Sequence, residues 1–134
     1  MDILLDTHVA LWALDDSPLL SKQARELILD GGNRVFVSDV SAWEIATKHV
    51  SHPDKMPSGA ARFIGLCREA GYLNLPLSPE AVVAYENLDI ERAASVHKDP
   101  YDRMLIAQSK VAKMLFLTHD KTLSLYGEPL VCIV

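Results

Sequence analysis

The sequence predicts an α/β fold, a three-layer α/β/α sandwich built on a five-stranded parallel sheet. Three observations carry this reading. Short, almost wholly apolar runs recur along the chain, as strands buried on both faces require. Segments with helical spacing separate those runs, so each strand is joined to the next by a crossover. The 134 residues are 49% hydrophobic and 23% charged, enough for one sizeable core without staples.

The first strand candidate is Asp2–Asp6, and a helix begins after it at Thr7 or His8. Ser17 before Pro18 opens a second helix, with Leu19, Leu20, Ala24, Leu27 and Ile28 at helical spacing until Gly31-Gly32. Arg34–Ser38 ("RVFVS") is the second strand. Val40, Trp43, Ala46 and Val50 mark the apolar side of the next helix, and residues 51–59, "SHPDKMPSG", form the clearest loop. Ser58 to Ala70 is helical and carries Ala61, Ile64 and Cys67, with Gly71 as its stop. Tyr72–Leu77 is the third strand, and Ser78-Pro79 opens a helix. Asp99-Pro100 opens a longer one through Lys113. Met114–His119 and Leu130–Val134 complete the five strands. No internal repeat interrupts the pattern, and residues 1–134 read as one domain.

No run approaches the ~18 apolar residues of a membrane span. The first residues lack the pattern of a secretory leader, so a cytoplasmic location is expected. Cys67 and Cys132 lack metal-ligand spacing and read as reduced core thiols. Trp12 and Trp43 read as core. The formal net charge of −5 does not advertise nucleic-acid binding. Carboxylates gathered around a cation would give the same total and reverse the local field.

Four acids raise that prospect, and each has an ordinary role open to it. Asp6 ends the first strand and can cap the helix behind it. Glu44, in "SAWEIATKH", can pair with Lys48 four residues on. Asp102, in "KDPYDRMLIAQ", is the third residue after the cap candidate Asp99, where an acid answers the helix dipole. Asp120, in "LTHDKTL", can cap a short helix. Taken together they suggest more. Asp6 and Asp120 lie past the carboxyl ends of strands, and Glu44 and Asp102 lie early in helices at the same rim. Ligands of open α/β sheets bind there. Clustered anions repel unless cations bind them. Oxygen ligands without cysteine suit Mg²⁺ or Mn²⁺, which activate water for phosphoryl chemistry.

In order and spacing, "LLDTHVALWAL", "VSDVSAWEIATK", "DPYDRMLIAQS" and "LTHDKTL" resemble the PIN-domain ribonucleases, above all the bacterial toxins of VapC type. The resemblance covers essentially the whole chain. It implies a parallel sheet of order 3-2-1-4-5 and an acidic quartet at Asp6, Glu44, Asp102 and Asp120. It further implies hydrolysis of RNA phosphodiesters with Mg²⁺ or Mn²⁺, a small antitoxin as partner, and a homodimer. His8 stands where many members carry Asn. Asp99 reads as a helix cap. His97 and His119 flank the quartet and read as surface or supporting groups. Thr7, Ser38 and Thr118 are placed either to orient carboxylates or to cap locally. Lys48, Lys98, Arg103 and Lys121 each neighbour a quartet acid and read either as phosphate contacts or as solvated charges.

Rival readings are a solitary RNA-processing nuclease, a non-catalytic binding module on the same fold, and a Mg²⁺-dependent receiver-like signalling domain. A P-loop enzyme is excluded by the lack of a glycine-rich phosphate loop. A mutually repelling quartet also carries an expectation: neutralising Glu44 stabilises the metal-free protein, because Glu44 caps nothing.

Overall fold

The first strand, β1 (Asp2–Leu5), has no polar residue after Asp2 and is fully buried from Ile3 onward. The computed structural model describes residues 1–134. The order is β1, α1 (Thr7–Leu14), α2 (Lys22–Leu29), β2 (Arg34–Ser38), α3 (Asp39–Ser51), α4 (Ala60–Glu69), β3 (Leu73–Leu75), α5 (Pro79–Glu86), α6 (Ile90–Ala93), α7 (Pro100–Ala112), β4 (Leu115–Thr118), a 3-10 turn (Lys121–Tyr126) and β5 (Val131–Ile133). All five strands pair in parallel, in the order β3-β2-β1-β4-β5. This is the predicted sheet. It is not the 2-1-3-4-5 order of a receiver domain.

Alternation along β1 divides the core. Ile3 and Leu5 point to one face, where Val9, Ala24, Ile45 and Phe63 bring in α1, α2, α3 and α4. Leu4 points to the other face, against Leu105, Ile106 and Ala107 of α7 and Phe116 of β4. Helices therefore cover both faces, which is why these strands need no polar alternation. No helix is long and apolar enough to cross a membrane.

Several boundaries differ from the sequence reading. β3 stops at Leu75 because Pro76 has no amide proton for the ladder. α2 starts at Lys22 and not at Pro18. Ser21 Oγ accepts from Ala24 N at 3.1 Å and caps it, while Ser17 Oγ accepts from Leu19 N in the preceding turn. The short helix α6 has no signal strong enough to read. Its cap is Asp89, whose carboxylate accepts from Arg92 N.

The largest correction concerns α3. Its buried residues are Val40, Ser41, Glu44 and Ile45, while Trp43 is 63% and Val50 83% exposed. The inward face is thus turned about one residue from the stripe that hydrophobicity suggested. Trp12 is half-buried against the core as expected; Trp43 is a surface residue in edge contact with Tyr101, ring centroids 5.1 Å apart. Cys67 is buried, Cys132 half-buried, and both are free thiols.

From β1 the chain moves outward to β2 and β3, then returns to the other side of β1 for β4. The sheet's topological switch point lies between β1 and β4, where Asp6 leaves one strand and Thr118, His119 and Asp120 leave the other.

Candidate active site

Asp6 holds both roles that the sequence left open. It is the N-cap of α1, with Oδ1 accepting from Thr7 N at 2.7 Å. Its other oxygen, Oδ2, accepts from Thr118 Oγ1 at 2.7 Å, across the switch point. It is buried, and burial raises its pKa against the lowering effect of these two bonds.

Glu44 enters from α3 and is 2% exposed. Its Oε1 accepts from Thr7 Oγ1 at 2.7 Å; Thr7 Oγ1 also lies 2.9 Å from Ser41 Oγ. Its Oε2 accepts from Lys48, the i,i+4 partner anticipated from sequence. Burial pulls the Lys48 pKa down, but the bond to Glu44 and the fields of Glu44, Asp99 and Asp102 raise it overall, so the lysine stays charged. Thr7 thus ties the start of α1 to α3. Replacing Thr7 by valine, which keeps the shape, should cost about 2 kcal/mol in urea unfolding, since it strips a buried carboxylate of a hydrogen bond.

Asp102 behaves differently. Asp99 is the N-cap of α7, and its Oδ1 accepts from Tyr101 N at 2.8 Å and Asp102 N at 3.3 Å. The cap is complete without Asp102, whose carboxylate turns inward to His97 Nε2 at 3.0 Å. Burial first, then the charges of Asp6, Asp99, Glu44 and Asp120, push the Asp102 carboxyl up to about 8. Those four acids act on it from the start of α1, α3, the α7 cap and the end of β4.

Asp120 is the most open of the four, its side chain 40% exposed. One oxygen caps the 3-10 turn through Thr122 N and Thr122 Oγ1; the other lies 4.0 Å from His97 Nε2. His97, Asp102 and Asp120 offer three ligand atoms within 4.8 Å of one another.

His97 is the residue that the sequence placed least well. It is 6% exposed and lies inside the cluster. Its Nδ1 meets Tyr126 Oη at 2.6 Å, and Arg103 Nε donates to the same Oη at 2.8 Å. Burial lowers the His97 pKa against the raising fields of Asp120 and Asp99. In the neutral tautomer with Nε2 protonated, it accepts from Tyr126 and donates to Asp102. The only sequence signal is its place two residues before the Asp99 cap; Tyr126 had none.

The other neighbours sort as follows. Thr118 orients Asp6 and also accepts from Asp120 N at 3.1 Å. Ser38 does not reach the acids; it caps α3 through Val40 N and bonds Gln108. Arg103 is not free for phosphate, since its guanidinium is engaged with Tyr126 and the His97 carbonyl. His8 is exposed. His119 turns away, with Nδ1 on Val134 O and its ring against Trp12. Lys98 and Lys121 are exposed beside the rim.

A switch-point cluster of acids in this sheet order has a counterpart among known families. The family model described as PIN domain matches residues 3–129. The chain belongs to the PIN domain family. Solved structures share the PIN fold. VapBC2 from Rickettsia felis bound to a promoter DNA fragment superposes with TM-score 0.70 at 13% identity, over 100% of this chain and 98% of that one. VapBC-1 from nontypeable Haemophilus influenzae gives 0.63 at 12% identity, over 95% and 93%. FitAcB from Neisseria gonorrhoeae gives 0.52 at 18% identity, over 93% of both chains. At such identities the likeness is one of fold. No curated protein sequence matches the chain.

The donor set fits the divalent metal implied by the PIN resemblance. It consists of carboxylate oxygens and one imidazole, with no thiolate. Its negative charge is only partly offset by Lys48, and Asp102 records the excess. A dication bound there would offset that excess.

Proposed function

We propose that this PIN-domain chain is a metal-dependent endoribonuclease and the toxin of a toxin–antitoxin pair. The observation that carries this reading is the convergence of Asp6, Glu44, Asp102 and Asp120 at the switch point, with Asp102 pushed up to about 8 by the others and by burial. Residues 1–134 then act as one nuclease domain.

Asp6, Asp102 and Asp120 would hold Mg²⁺ or Mn²⁺, with Glu44 completing the set. When bound, the metal supplies Lewis-acid activation of water and charge stabilisation at the scissile phosphate. The protein's own groups fix the geometry. Thr118 and the Thr7 amide hold Asp6 by both oxygens. Thr7 and Lys48 hold Glu44. His97, backed by Tyr126 and Arg103, holds Asp102. Glu44 would help to orient or deprotonate the attacking water. Such preset carboxylates need little reorganisation when charge develops on the phosphate.

The similar VapBC2 and FitAB structures are bound to DNA fragments, one of them from a promoter. On that likeness we expect a small DNA-binding antitoxin as partner, a homodimer of this chain, and action on cytoplasmic RNA. Co-expression with the product of the adjacent small gene should give a stable complex and suppress toxicity. A harmless, monomeric but active nuclease would favour solitary RNA processing.

The direct test is cleavage of structured RNA by purified protein. Mg²⁺ or Mn²⁺ should be required and EDTA should stop the reaction. An Asp6→Asn preparation controls for contaminating nuclease. Undiminished cleavage by the parent in EDTA, with that control inactive, would reject the metal-dependent reading.

A further inference from the structure

A cavity of about 330 Å³ opens at the C-terminal end of α3, lined by His8, Lys48, His52, Lys55 and Met56. One water occupies ~30 Å³ in the liquid, so the space admits a much larger group. Four of its five lining residues carry basic nitrogens and none carries a carboxylate. In a chain of net charge −5 this is a local reversal of sign. We propose that this cavity seats a phosphodiester of the RNA strand flanking the one that is cut. The inference rests on the nuclease reading above and adds to it the path of the strand.

Three features support an anion here. Lys48 lines the cavity and bonds Glu44, so one side chain links this space to the carboxylate cluster. Lys55 and His52 are exposed and sit in the "SHPDKMPSG" stretch, and no carboxylate lies within ion-pairing distance of Lys55. The end of α3 is the negative pole of a helix and would repel an anion were its carbonyls bare. Lys48 O accepts from His52 N at 2.8 Å, and His52 O accepts from Lys55 N and Met56 N, both at 3.0 Å. Those bonds occupy the Lys48 and His52 carbonyls, and the four basic side chains line the space.

The test is binding of a fluorescent 12-nucleotide single-stranded RNA in EDTA, followed by anisotropy across a salt series. Without metal no cleavage intervenes. Lys55→Ala should weaken binding about three- to tenfold for every RNA sequence tried, because a phosphate contact carries no base information. It should also reduce the slope of log K against log salt by ~0.7, the value for one contact to a single strand. Lys55→Arg should restore both. Lys22→Ala, an exposed lysine on α2, should match the parent. Parent-like affinity and slope for both Lys55→Ala and the His52→Ala/Lys55→Ala double variant, in a protein that does cut RNA, would overturn the cavity assignment alone. A parent that neither binds nor cuts RNA would remove the nuclease reading as well. If poly-glutamate bound better than RNA, with the same dependence on Lys55, the cavity would belong to an acidic protein segment and the proposal would fall.

Discussion

Replacing Asp102 by asparagine is expected to cut metal-dependent cleavage by about a thousandfold or more, and to stabilise the metal-free protein above neutral pH. The loss of activity follows from removing a ligand from a site that supplies several kcal/mol to the transition state. The gain in stability follows from linkage. Asp102 has a folded-state pKa of about 8, against an ordinary value of 3.8, because it is buried among Asp6, Asp99, Glu44 and Asp120. Well below pH 3.8 the carboxyl is protonated in both states and carries no penalty. As the pH rises from there through 8, the unfolded chain ionises freely and the folded one does not, so stability is lost progressively. The variant escapes that loss and keeps an oxygen to accept from His97. Melting temperatures in EDTA should therefore differ least at the lowest pH the fold tolerates and should separate progressively in favour of the variant toward pH 8.5. The difference there should be on the order of 2 kcal/mol or more. Mg²⁺ should raise the melting temperature of the parent more than that of the variant, since ligand binds only the folded state. A variant that is less stable than the parent at pH 8.5 would mean that Asp102 is not under repulsion.

Lys48→Met is expected to be among the most damaging substitutions to the metal-free fold. Lys48 is the only cation bonded to Glu44, whose side chain is 2% exposed while the lysine is 37% exposed. Removing it leaves a buried carboxylate held by Thr7 alone, in the field of the other acids. Breaking such a pair from the lysine side should cost about 2–3 kcal/mol, toward the lower end for buried pairs because the lysine is partly solvated. Urea unfolding at pH 7 in EDTA measures it. Adding Glu44→Gln to Lys48→Met should recover most of the loss, and the double-mutant cycle isolates the pair. Mg²⁺ should recover part of it as well.

The same geometry revises the expectation for Glu44→Gln alone. Two protein donors already satisfy this carboxylate. Relief of repulsion on Asp102 is then offset by a glutamine amide facing the Lys48 ammonium. A net stabilisation of the metal-free protein is no longer expected from that substitution.

What could be read from sequence was local in origin. Ser78 with Pro79 and Asp99 with Pro100 cap their helices as anticipated, because a cap is decided within three residues of itself. β2 keeps the bounds of its apolar run because that run is its whole pairing surface. The parallel sheet followed from strands without polar alternation. The four acids were legible because each stands at the end of a strand or near the start of a helix. Other features were set by contacts that no local pattern encodes. Thr118 meets Asp6 across 112 residues of sequence, and Thr7 meets Glu44 across 37. Only the crossing at the switch point makes those hydroxyls part of the site. For His97 the sequence left surface and supporting roles open, since its burial depends on Tyr126, 29 residues away. The face that α3 buries was misjudged for the same reason. Apolar periodicity assumes that the inward face is the oily one. Here Ser41 and Glu44 point inward because Thr7 and Lys48 satisfy Glu44 there, and Trp43 is left outside. The sequence alone determined the five parallel strands, the caps of α5 and α7 and the positions of the four acids at the rim. The tertiary structure decided which acids keep ordinary partners and which, Asp102 above all, carry excess charge, because burial and charge proximity exist only once distant segments are packed together.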